Sequence, residues 1–188
     1  MKKYELTEET KVIDGKTLFR IRALRSFGDI KAGDLGGFIE NERNLSHGGN
    51  AWVGDNAQVG GNAEVYGDAQ VVGYARVGGY ARVGGYARVG GYARVDGDAW
   101  VGGYARVNGD GLINSNNDYL CEQGLGSRNR SASFFKCKDG HIHVLCGCFS
   151  GNLDEFENKV KEEHGNSKYS KEYLGFIEVV KTHFEVRQ

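Results

Sequence analysis

A six-residue repeat runs almost without interruption from Asn50 to Leu112 and reads G-[N/D/Y]-A-x-V-[G/x]. A valine or isoleucine recurs once in each unit, at positions 53, 59, 65, 71, 77, 83, 89, 95, 101, 107 and 113, and an alanine stands two residues earlier until Gly111 replaces it. A fixed short period of this kind is typical of chains that stack one coil on the next. The repeat therefore predicts a solenoid over this part of the chain.

Side chains alternate within each unit. One unit reads Tyr86-Ala87-Arg88-Val89-Gly90-Gly91. The alanine and the valine point to one side of a strand and the tyrosine and the arginine to the other, because successive residues of a strand face opposite ways. Small apolar residues suit a narrow interior, so we predict that alanine and valine face inward. The two glycines are predicted to form the corner, since a tight bend requires backbone angles that a Cβ atom disfavours.

This repeat resembles that of left-handed parallel β-helix proteins built from hexapeptide repeats. The resemblance implies a mainly β fold in which three short strands make one triangular coil and residues eighteen apart stack. Over residues 35–113 it implies about four coils. Upstream, the pairs Leu35/Ile39, Asn41/Leu45 and His47/Ala51 occupy the same register with imperfect side chains. We interpret these pairs as a first, irregular coil.

Charge and cysteine content narrow the possible functions. The 188 residues carry a formal net charge of −1, which favours neither a polybasic nucleic-acid binder nor an acidic nucleic-acid mimic. All four cysteines lie in the last third of the chain, and its first residues contain no apolar signal-peptide core. We therefore expect reduced thiols and a cytoplasmic location. No apolar run is long enough to cross a bilayer, so we expect no membrane association.

The pattern divides the chain into three regions. These are an N-terminal β cap at residues 1–34, the left-handed β-helix at 35–113 and a small α+β domain at 117–188. In the first region, alternating residues on either side of Asp14-Gly15 predict a hairpin. A solenoid end exposes unpaired strand edges, so we assign this hairpin as the cap, with a free-standing β appendage as the alternative. Residues 115–117 are predicted to form a short linker or a terminal corner.

The last region combines strands with two helices. Strand-like runs lie at Tyr119–Gln123, Ala132–Lys136 and His141–Cys146, with Asp139-Gly140 as a hairpin turn. Asn152 is a helix N-cap with Glu155 three residues on, and Gly165 is a C-terminal stop, which predicts a helix at about 153–164. Ser170 is predicted to cap a second helix. The buried face of that helix is predicted to carry Tyr173, Ile177, Val180 and Phe184.

Left-handed β-helix proteins include acyltransferases that use coenzyme A, and this resemblance raises an enzymatic alternative. Such enzymes use a histidine as general base, near a loop that leaves the coils at a trimer interface. Here no insertion interrupts the repeat, and His47 is the only histidine in or near it. The predicted register points His47 inward. We therefore assign His47 a structural role and predict no catalytic residue and no cofactor.

The outward side chains of the coils form the first candidate binding surface. If eighteen residues make one coil, tyrosines stack on tyrosines and arginines on arginines along two faces, while Arg82 lies between Glu64 and Trp100 on the third. Stacked arginines repel one another unless an anion screens them, and tyrosines beside them offer flat contact surfaces for an RNA backbone, a nucleotide or an acidic protein patch. The predicted binding residues of the coils are Tyr74, Arg76, Arg82, Tyr86, Arg88, Tyr92, Arg94, Tyr104 and Arg106.

An alternative interpretation makes these side chains ordinary solvated strand residues. Near-identical copies of the sequence GGYARV indicate recent duplication, which multiplies tyrosine and arginine without any selection for binding. Asp96 and Asp98 also interrupt the basic stripe, which disfavours a long nucleic-acid track.

A second candidate is the loop Gly124–Ser131, which combines glycines and hydroxyl groups with Arg128 and Arg130. Backbone amides and arginine forks are the groups that hold a phosphate or another anion. The loop therefore suggests an anionic ligand at Gly126–Arg130, with an ordinary hairpin loop as the alternative.

Two histidines and two cysteines in the last region raise the question of a metal site. Their spacing, His141-x-His143-x-x-Cys146-x-Cys148, sends the two pairs to opposite sides of a continuous strand. We therefore predict no metal site and interpret Cys146 and Cys148 as core residues of the strand.

Two sets of segments resemble proteins of bacteriophages and other mobile elements. Asp34–Glu40 with Asn44–Ser46, ahead of the repeat, resembles hexapeptide-repeat proteins of phages and prophages. A small domain of phage and gut-bacterial mobile-element proteins resembles the segments Gly126–Asn129, Gly147–Phe149, Leu153–Glu157, His164–Gly165 and Lys171–Leu174. Together the two resemblances span nearly the whole chain.

The mobile-element resemblance implies a non-enzymatic binding protein of phage type. The resemblance also implies a location in the cytoplasm of a bacterial host cell, with a host or defence protein as the partner. The most concrete form is a counter-defence inhibitor, an anti-CRISPR protein whose partner is a Cas nuclease with its guide RNA. Two alternatives stay open: a sponge that sequesters a nucleotide immune signal at Gly126–Arg130, and the acyltransferase. Lateral trimers and end-to-end dimers are both compatible with the coils, so a homo-oligomer is a further expectation.

Overall fold

The structure is a computed structural model that describes residues 2–186. It begins with an antiparallel hairpin of β1 (Tyr4–Ile13) and β2 (Lys16–Ala23). Asp14 and Gly15 form the turn with φ angles of 51° and 76°, in the left-handed region that glycine and aspartate adopt more readily than other residues. The hairpin predicted from the alternating sequence is confirmed.

A parallel β-solenoid of about four coils follows the hairpin. Its strands are β3 (Leu35–Ile39), β4 (Trp52–Val53), β5 (Gln58–Val59), β6 (Glu64–Val65), β7 (Gln70–Val71), β8 (Arg76–Val77), β9 (Arg82–Val83), β10 (Arg88–Val89), β11 (Arg94–Val95), β12 (Trp100–Val101), β13 (Arg106–Val107) and β14 (Leu112–Ile113). Strands eighteen residues apart pair in parallel, as Val77 does with Val95. The predicted stack of coils is confirmed.

Three faces result from this pairing. Face A comprises β3, β5, β8, β11 and β14, face B comprises β4, β7, β10 and β13, and face C comprises β6, β9 and β12. The terminal hairpin lengthens face A, because β2 pairs antiparallel with β3. The hairpin therefore covers the edge that β3 would otherwise leave unpaired.

Alanine and valine fill the interior of the coils. The valines that recur every six residues from Val53 to Val107, and Ile113, are buried, and so are the alanines from Ala51 to Ala105 that stand two residues before these valines. Strand amides donate along the solenoid, as Arg76 N does to Ala93 O at 2.9 Å. Burial of each valine side chain contributes about 1.5 to 3 kcal/mol. The outward arginine and tyrosine can vary without disturbing this interior.

The corner lies one residue later than predicted. Gly91 and Tyr92 form a turn of the type repeated along the solenoid, and Gly91 has a φ of 61°, in the left-handed region, whereas Gly90 does not. Asp55 takes the position of Gly91 in an earlier unit, at a φ of 52°, and its carboxylate accepts a hydrogen bond from Gly73 N at 2.8 Å. Only the second glycine of each pair is thus required by the backbone.

The first coil departs from the predicted register. Ile39 pairs with Val59 and Leu45 with Val65, twenty residues apart rather than eighteen. Ile39 and Leu45 therefore take the valine position, and the register predicted for the upstream pairs is wrong by two residues. The extra residues lie in the loop after Leu45, where the coil makes room for the start of the chain.

The C-terminal part contains a four-stranded antiparallel sheet and two helices. A 3-10 helix at Asn116–Asp118, capped by Ser115, forms the corner that leads out of the last coil. The remaining elements are β15 (Tyr119–Leu125), β16 (Arg130–Lys136), β17 (Ile142–Cys146), β18 (Phe149–Asn152), α1 (Leu153–His164) and α2 (Lys168–His183). The strands lie in the order β15-β16-β17-β18. Within residues 2–186, neither helix has the length and apolar character needed to cross a membrane.

Helix α1 begins and ends where its capping residues predict. Asn152 and Glu155 each accept a hydrogen bond from the other's backbone amide at 2.9 Å, and Gly165 follows the last turn at a φ of 50°. Helix α2 begins earlier than predicted, because Ser167 rather than Ser170 is its N-cap. Ser170 is buried in the first turn. Strand β18 was not predicted because it is short and its sequence does not alternate between apolar and polar residues.

The C-terminal sheet closes the end of the solenoid. Phe135 and Leu145 lie on one side of the sheet and are buried in the same core as the coils. Phe134 lies on the other side, in a second core with the two helices. Gly111 of the last coil pairs with Cys137 of the sheet. The sheet therefore covers the strand edges at this end, as the hairpin does at the other.

Candidate binding surface

Exposed tyrosines stack at two corners of the solenoid. Tyr74 and Tyr92 lie between faces B and A, with ring centroids 5.3 Å apart and planes 9° apart. Tyr86 and Tyr104 lie between faces C and B, with centroids 4.9 Å apart and planes 14° apart. The rings remain roughly half exposed despite this stacking. We call the two pairs the tyrosine ladders, and their stacking is the one predicted from the eighteen-residue spacing.

Arg88 and Arg106 lie on face B between the tyrosine ladders. They are cross-strand neighbours in β10 and β13, so their side chains emerge side by side. Both are exposed, and within residues 2–186 neither guanidinium makes an ion pair or a hydrogen bond with another side chain. Two like unit charges 4 Å apart repel by about 1 kcal/mol even in water. The pair therefore presents positive charge that the described chain does not neutralise.

We call this region the face B surface. It comprises Tyr74, Tyr86, Arg88, Tyr92, Tyr104 and Arg106.

The other predicted arginines of the coils lie on faces A and C. On face A, Arg76 is half-buried and its Nε donates to Gln58 Oε1 at 2.9 Å. Arg94 stands beside Arg76, and both line a groove of about 190 Å³ under the tip of the β1–β2 hairpin. On face C, Arg82 Nε lies 3.9 Å from Glu64 Oε2 in an exposed ion pair. These arginines do not belong to the face B surface.

The predicted anion loop is a tight turn beside Tyr104. Residues 126–129 form the turn between β15 and β16, so Arg130 belongs to a strand, and both Arg128 and Arg130 are exposed. Gly126 has a φ of 70° and packs under the Tyr173 ring, which leaves no room for a Cβ atom. A hollow of about 460 Å³ is lined by Tyr104, Gln123, Gly124, Asn129 and Ser131. The fold thus brings the turn next to one tyrosine ladder.

His47 does not face into the coils. Its ring stacks on Tyr4 with centroids 4.4 Å apart, and its Nδ1 accepts a hydrogen bond from Lys3 N at 3.2 Å. The predicted inward position is wrong because the first coil is displaced by two residues. Lys3 is buried beside it, and Lys3 Nζ donates to Ala51 O at 2.7 Å. His47 therefore helps to fasten the start of the chain to the first coil.

The faces of β17 separate the histidines from Cys146, as the spacing predicts. His143 lies opposite Phe135 on the solenoid side. Cys146 packs on the helix side, with its sulfur 3.9 Å from Tyr173 Oη, and burial raises the pKa of its thiol. The interpretation of Cys148 as a core residue is wrong, because it is exposed in the turn before β18. All four cysteines are free thiols.

Two exposed aromatic residues were not among the predicted binding residues. Tyr80 is 70% exposed at the corner between faces A and C, and Trp100 is 56% exposed beside Arg82 on face C. Tyr80 has no stacking partner in the repeat, since Asn62 and Asp98 stand eighteen residues away on either side. Its outward turn position was the signal that could have identified it.

No protein-family model matches the chain, and no curated protein matches it. The chemistry of the surface is therefore the basis for inferring function. Guanidinium groups donate paired hydrogen bonds to carboxylates and phosphates, and tyrosine rings add flat apolar area with a polar tip. The face B surface can accordingly recognise an acidic macromolecule.

Proposed function

We propose that this chain is a non-enzymatic binding protein that engages an acidic macromolecular partner through the face B surface. The proposal depends on one observation: Arg88 and Arg106, two adjacent cations without a counter-charge among the described residues, lie between two ladders of stacked tyrosines. Carboxylates or phosphates of a partner would supply that counter-charge. Such complementarity accelerates association and disfavours basic partners.

The rigidity of the face B surface supports this proposal. Each arginine stands on a strand whose alanine and valine neighbours are buried in the coils. Tyrosine contributes a large contact area with few rotatable bonds, and stacking restricts these rings before any partner arrives. Less side-chain freedom is then lost on binding, which leaves more of the interaction energy as affinity. Tyrosine and arginine are also enriched among the residues that dominate binding interfaces.

The mobile-element resemblance supports a bacterial defence effector as the partner. In its most concrete form, the chain is a counter-defence inhibitor, an anti-CRISPR protein, that acts in the cytoplasm of the bacterial host. Its target would be a Cas nuclease bound to guide RNA, a particle that presents both phosphates and carboxylates. Arg128 and Arg130 lie on or next to the turn beside Tyr104 and would extend the contact.

Native mass spectrometry tests this proposal. The full chain is mixed with a Cas nuclease and its guide RNA, with the guide-free nuclease, and with the guide RNA alone. A complex at the summed mass of the chain and the ribonucleoprotein would support the inhibitor. Binding to none of the three would contradict this partner.

Two other outcomes would redirect the proposal. An added mass of several hundred daltons on the chain alone, lost in Arg128→Ala, would favour a sponge for a nucleotide signal. Transfer of an acetyl group from coenzyme A that is lost in His47→Ala would contradict a non-enzymatic protein.

A further inference from the structure

The hairpin of β16 and β17 places Cys137, His141 and His143 on one side of the C-terminal sheet. Cys137 N donates to His141 O at 2.9 Å across the turn, and His143 pairs with Phe135 in the strand register. Residues two apart on an extended chain share a face. The three side chains therefore lie on the face that packs against the last coil, and Cys146 lies on the other.

The ligand atoms of these residues converge. The Cys137 sulfur and one ring nitrogen of each histidine all lie within 4.8 Å of one another. Zinc bonds of 2.0–2.3 Å in a tetrahedral arrangement require ligand atoms about 3.5 Å apart. The cluster needs to contract by only about 1 Å to reach that geometry. His141 is exposed, so its ring has room to move toward the other two ligand atoms.

Neighbouring groups already orient both imidazoles. His141 Nδ1 lies 2.5 Å from Asp139 Oδ1, and His143 Nε2 lies 3.0 Å from Ser150 Oγ. A carboxylate or hydroxyl on one ring nitrogen fixes the ring and strengthens the other nitrogen as a metal ligand. A metal would then take the other nitrogen of each ring, Nε2 of His141 and Nδ1 of His143, with Asp139 and Ser150 supporting the rings.

Zinc binds a cysteine as its thiolate, so the bound ion would displace the proton of the Cys137 thiol to solvent.

We propose that Cys137, His141 and His143 bind one Zn²⁺ ion, with water in the fourth position. Neutral imidazole nitrogen and thiolate sulfur bind Zn²⁺ in preference to the hard cations Mg²⁺ and Ca²⁺. A hollow of about 690 Å³ that borders both histidines gives solvent access to the fourth position.

The ion would strengthen the junction between the sheet and the solenoid. Cys137 pairs with Gly111 of the last coil, and Lys138 N donates to Asp110 O at 3.2 Å. Bonds from one ion to both strands of the hairpin would hold its turn in the conformation that makes these contacts. The site is independent of the face B surface and does not rest on the proposed partner.

Metal titration of the full chain tests this inference. The protein is treated with a chelator, dialysed and titrated with Co²⁺, a spectroscopic substitute for Zn²⁺. We expect one ion per chain, a thiolate-to-cobalt charge-transfer band in the near ultraviolet, and displacement of that band by Zn²⁺. Wild-type protein that shows no such band would overturn the proposal.

Substitutions assign the ligands. Cys137→Ser should abolish the band and weaken Zn²⁺ binding by at least about 100-fold, whereas Asp139→Asn should weaken it by about 10-fold. Cys148→Ser is the matched control, because Cys148 is exposed and outside the cluster. Exposed His141 can be changed to alanine without disturbing the core, so it keeps the test valid if Cys137→Ser fails to fold. A band that survives in His141→Ala, or that is lost in Cys148→Ser, would contradict the assignment.

Discussion

Tyr104 is the residue at which three parts of the molecule meet. Its ring stacks on Tyr86 and borders the hollow beside the β15–β16 turn. It also lines a second hollow of about 450 Å³ that includes Tyr119 of the sheet and His183 of α2. A partner that covers the tyrosine ladders would therefore also contact the C-terminal part.

Lys3 gives the protein a pH dependence that one substitution can isolate. Burial, and then the charge of Arg25, lower the Lys3 pKa from its usual 10.5 to about 8. Between these values the unfolded chain binds more protons than the folded chain, so the contribution of Lys3 to the free energy of unfolding increases as the pH rises. We expect the wild type to gain about 1–2 kcal/mol relative to Lys3→Met between about pH 7.5 and pH 9.5, measured by urea denaturation.

The difference in the free energy of unfolding between the wild type and Lys3→Met excludes the effect of other titrating groups. Thiols and tyrosines also ionise in this range, but both proteins contain them and their effects cancel. A stability difference that stays constant or reverses over this range would show that Lys3 is not a buried, charged amine at neutral pH.

At the scale of the coil, the turn glycines differ in how closely the next coil approaches. Gly97 and Gly103 have φ angles of 64° and 61°, so alanine would be strained at either position by about 1–2 kcal/mol. At Gly97 the Cβ atom would also collide with Asn114 O, whereas at Gly103 no atom lies within 4 Å. We expect Gly97→Ala to lower the free energy of unfolding by about 1–3 kcal/mol more than Gly103→Ala. Equal losses in chemical denaturation would contradict this difference.

Elements whose signals are local could be predicted from the sequence. Helix α1 has both caps in its own sequence, and the coils repeat one pattern, so their bounds followed from spacing. The first coil could not be predicted in register, since its extra residues accommodate Lys3 and Tyr4 from a distant part of the chain. The prediction that Ser170 caps α2 is wrong for a similar reason. Ser170 is buried by packing against distant residues, which its neighbours in sequence do not indicate.

The candidate site also combines features that local sequence determines with features that depend on contacts between distant residues. The tyrosine ladders followed from the eighteen-residue repeat, because stacking is a property of the coils alone. The approach of the β15–β16 turn to Tyr104 could not be predicted, since it depends on how the sheet packs on the last coil. The convergence of Cys137 with His141 and His143 depends on which residues pair across the β16–β17 hairpin, and the turn Asp139-Gly140 alone does not determine that pairing.

For the whole molecule, the two sides of the C-terminal sheet have separate roles. Phe135 packs into the solenoid core, whereas the adjacent Phe134 packs against the helices. Alanine at either position should lower the free energy of unfolding by about 3–5 kcal/mol. Hydrogen exchange should distinguish them: Phe135→Ala should expose the amides of Arg106 and Lys138, which bond across the junction, to faster exchange. Phe134→Ala should mainly affect amides of α1 and α2.

The same pattern of exchange in both variants would show that the sheet and the solenoid do not open separately. It would then be wrong to treat the sheet as a cap with its own second core.

Binding of an acidic partner by the face B surface can be tested with one comparison of dissociation constants. Wild-type protein, Arg88→Glu/Arg106→Glu and the control Arg43→Glu/Lys171→Glu are titrated against the Cas nuclease with its guide RNA. The control changes two exposed cations elsewhere and alters the net charge equally. We predict at least about 100-fold weaker binding for the face B variant and a change within about 3-fold for the control. Equal weakening of both variants, or of neither, would show that the face B surface does not bind this partner.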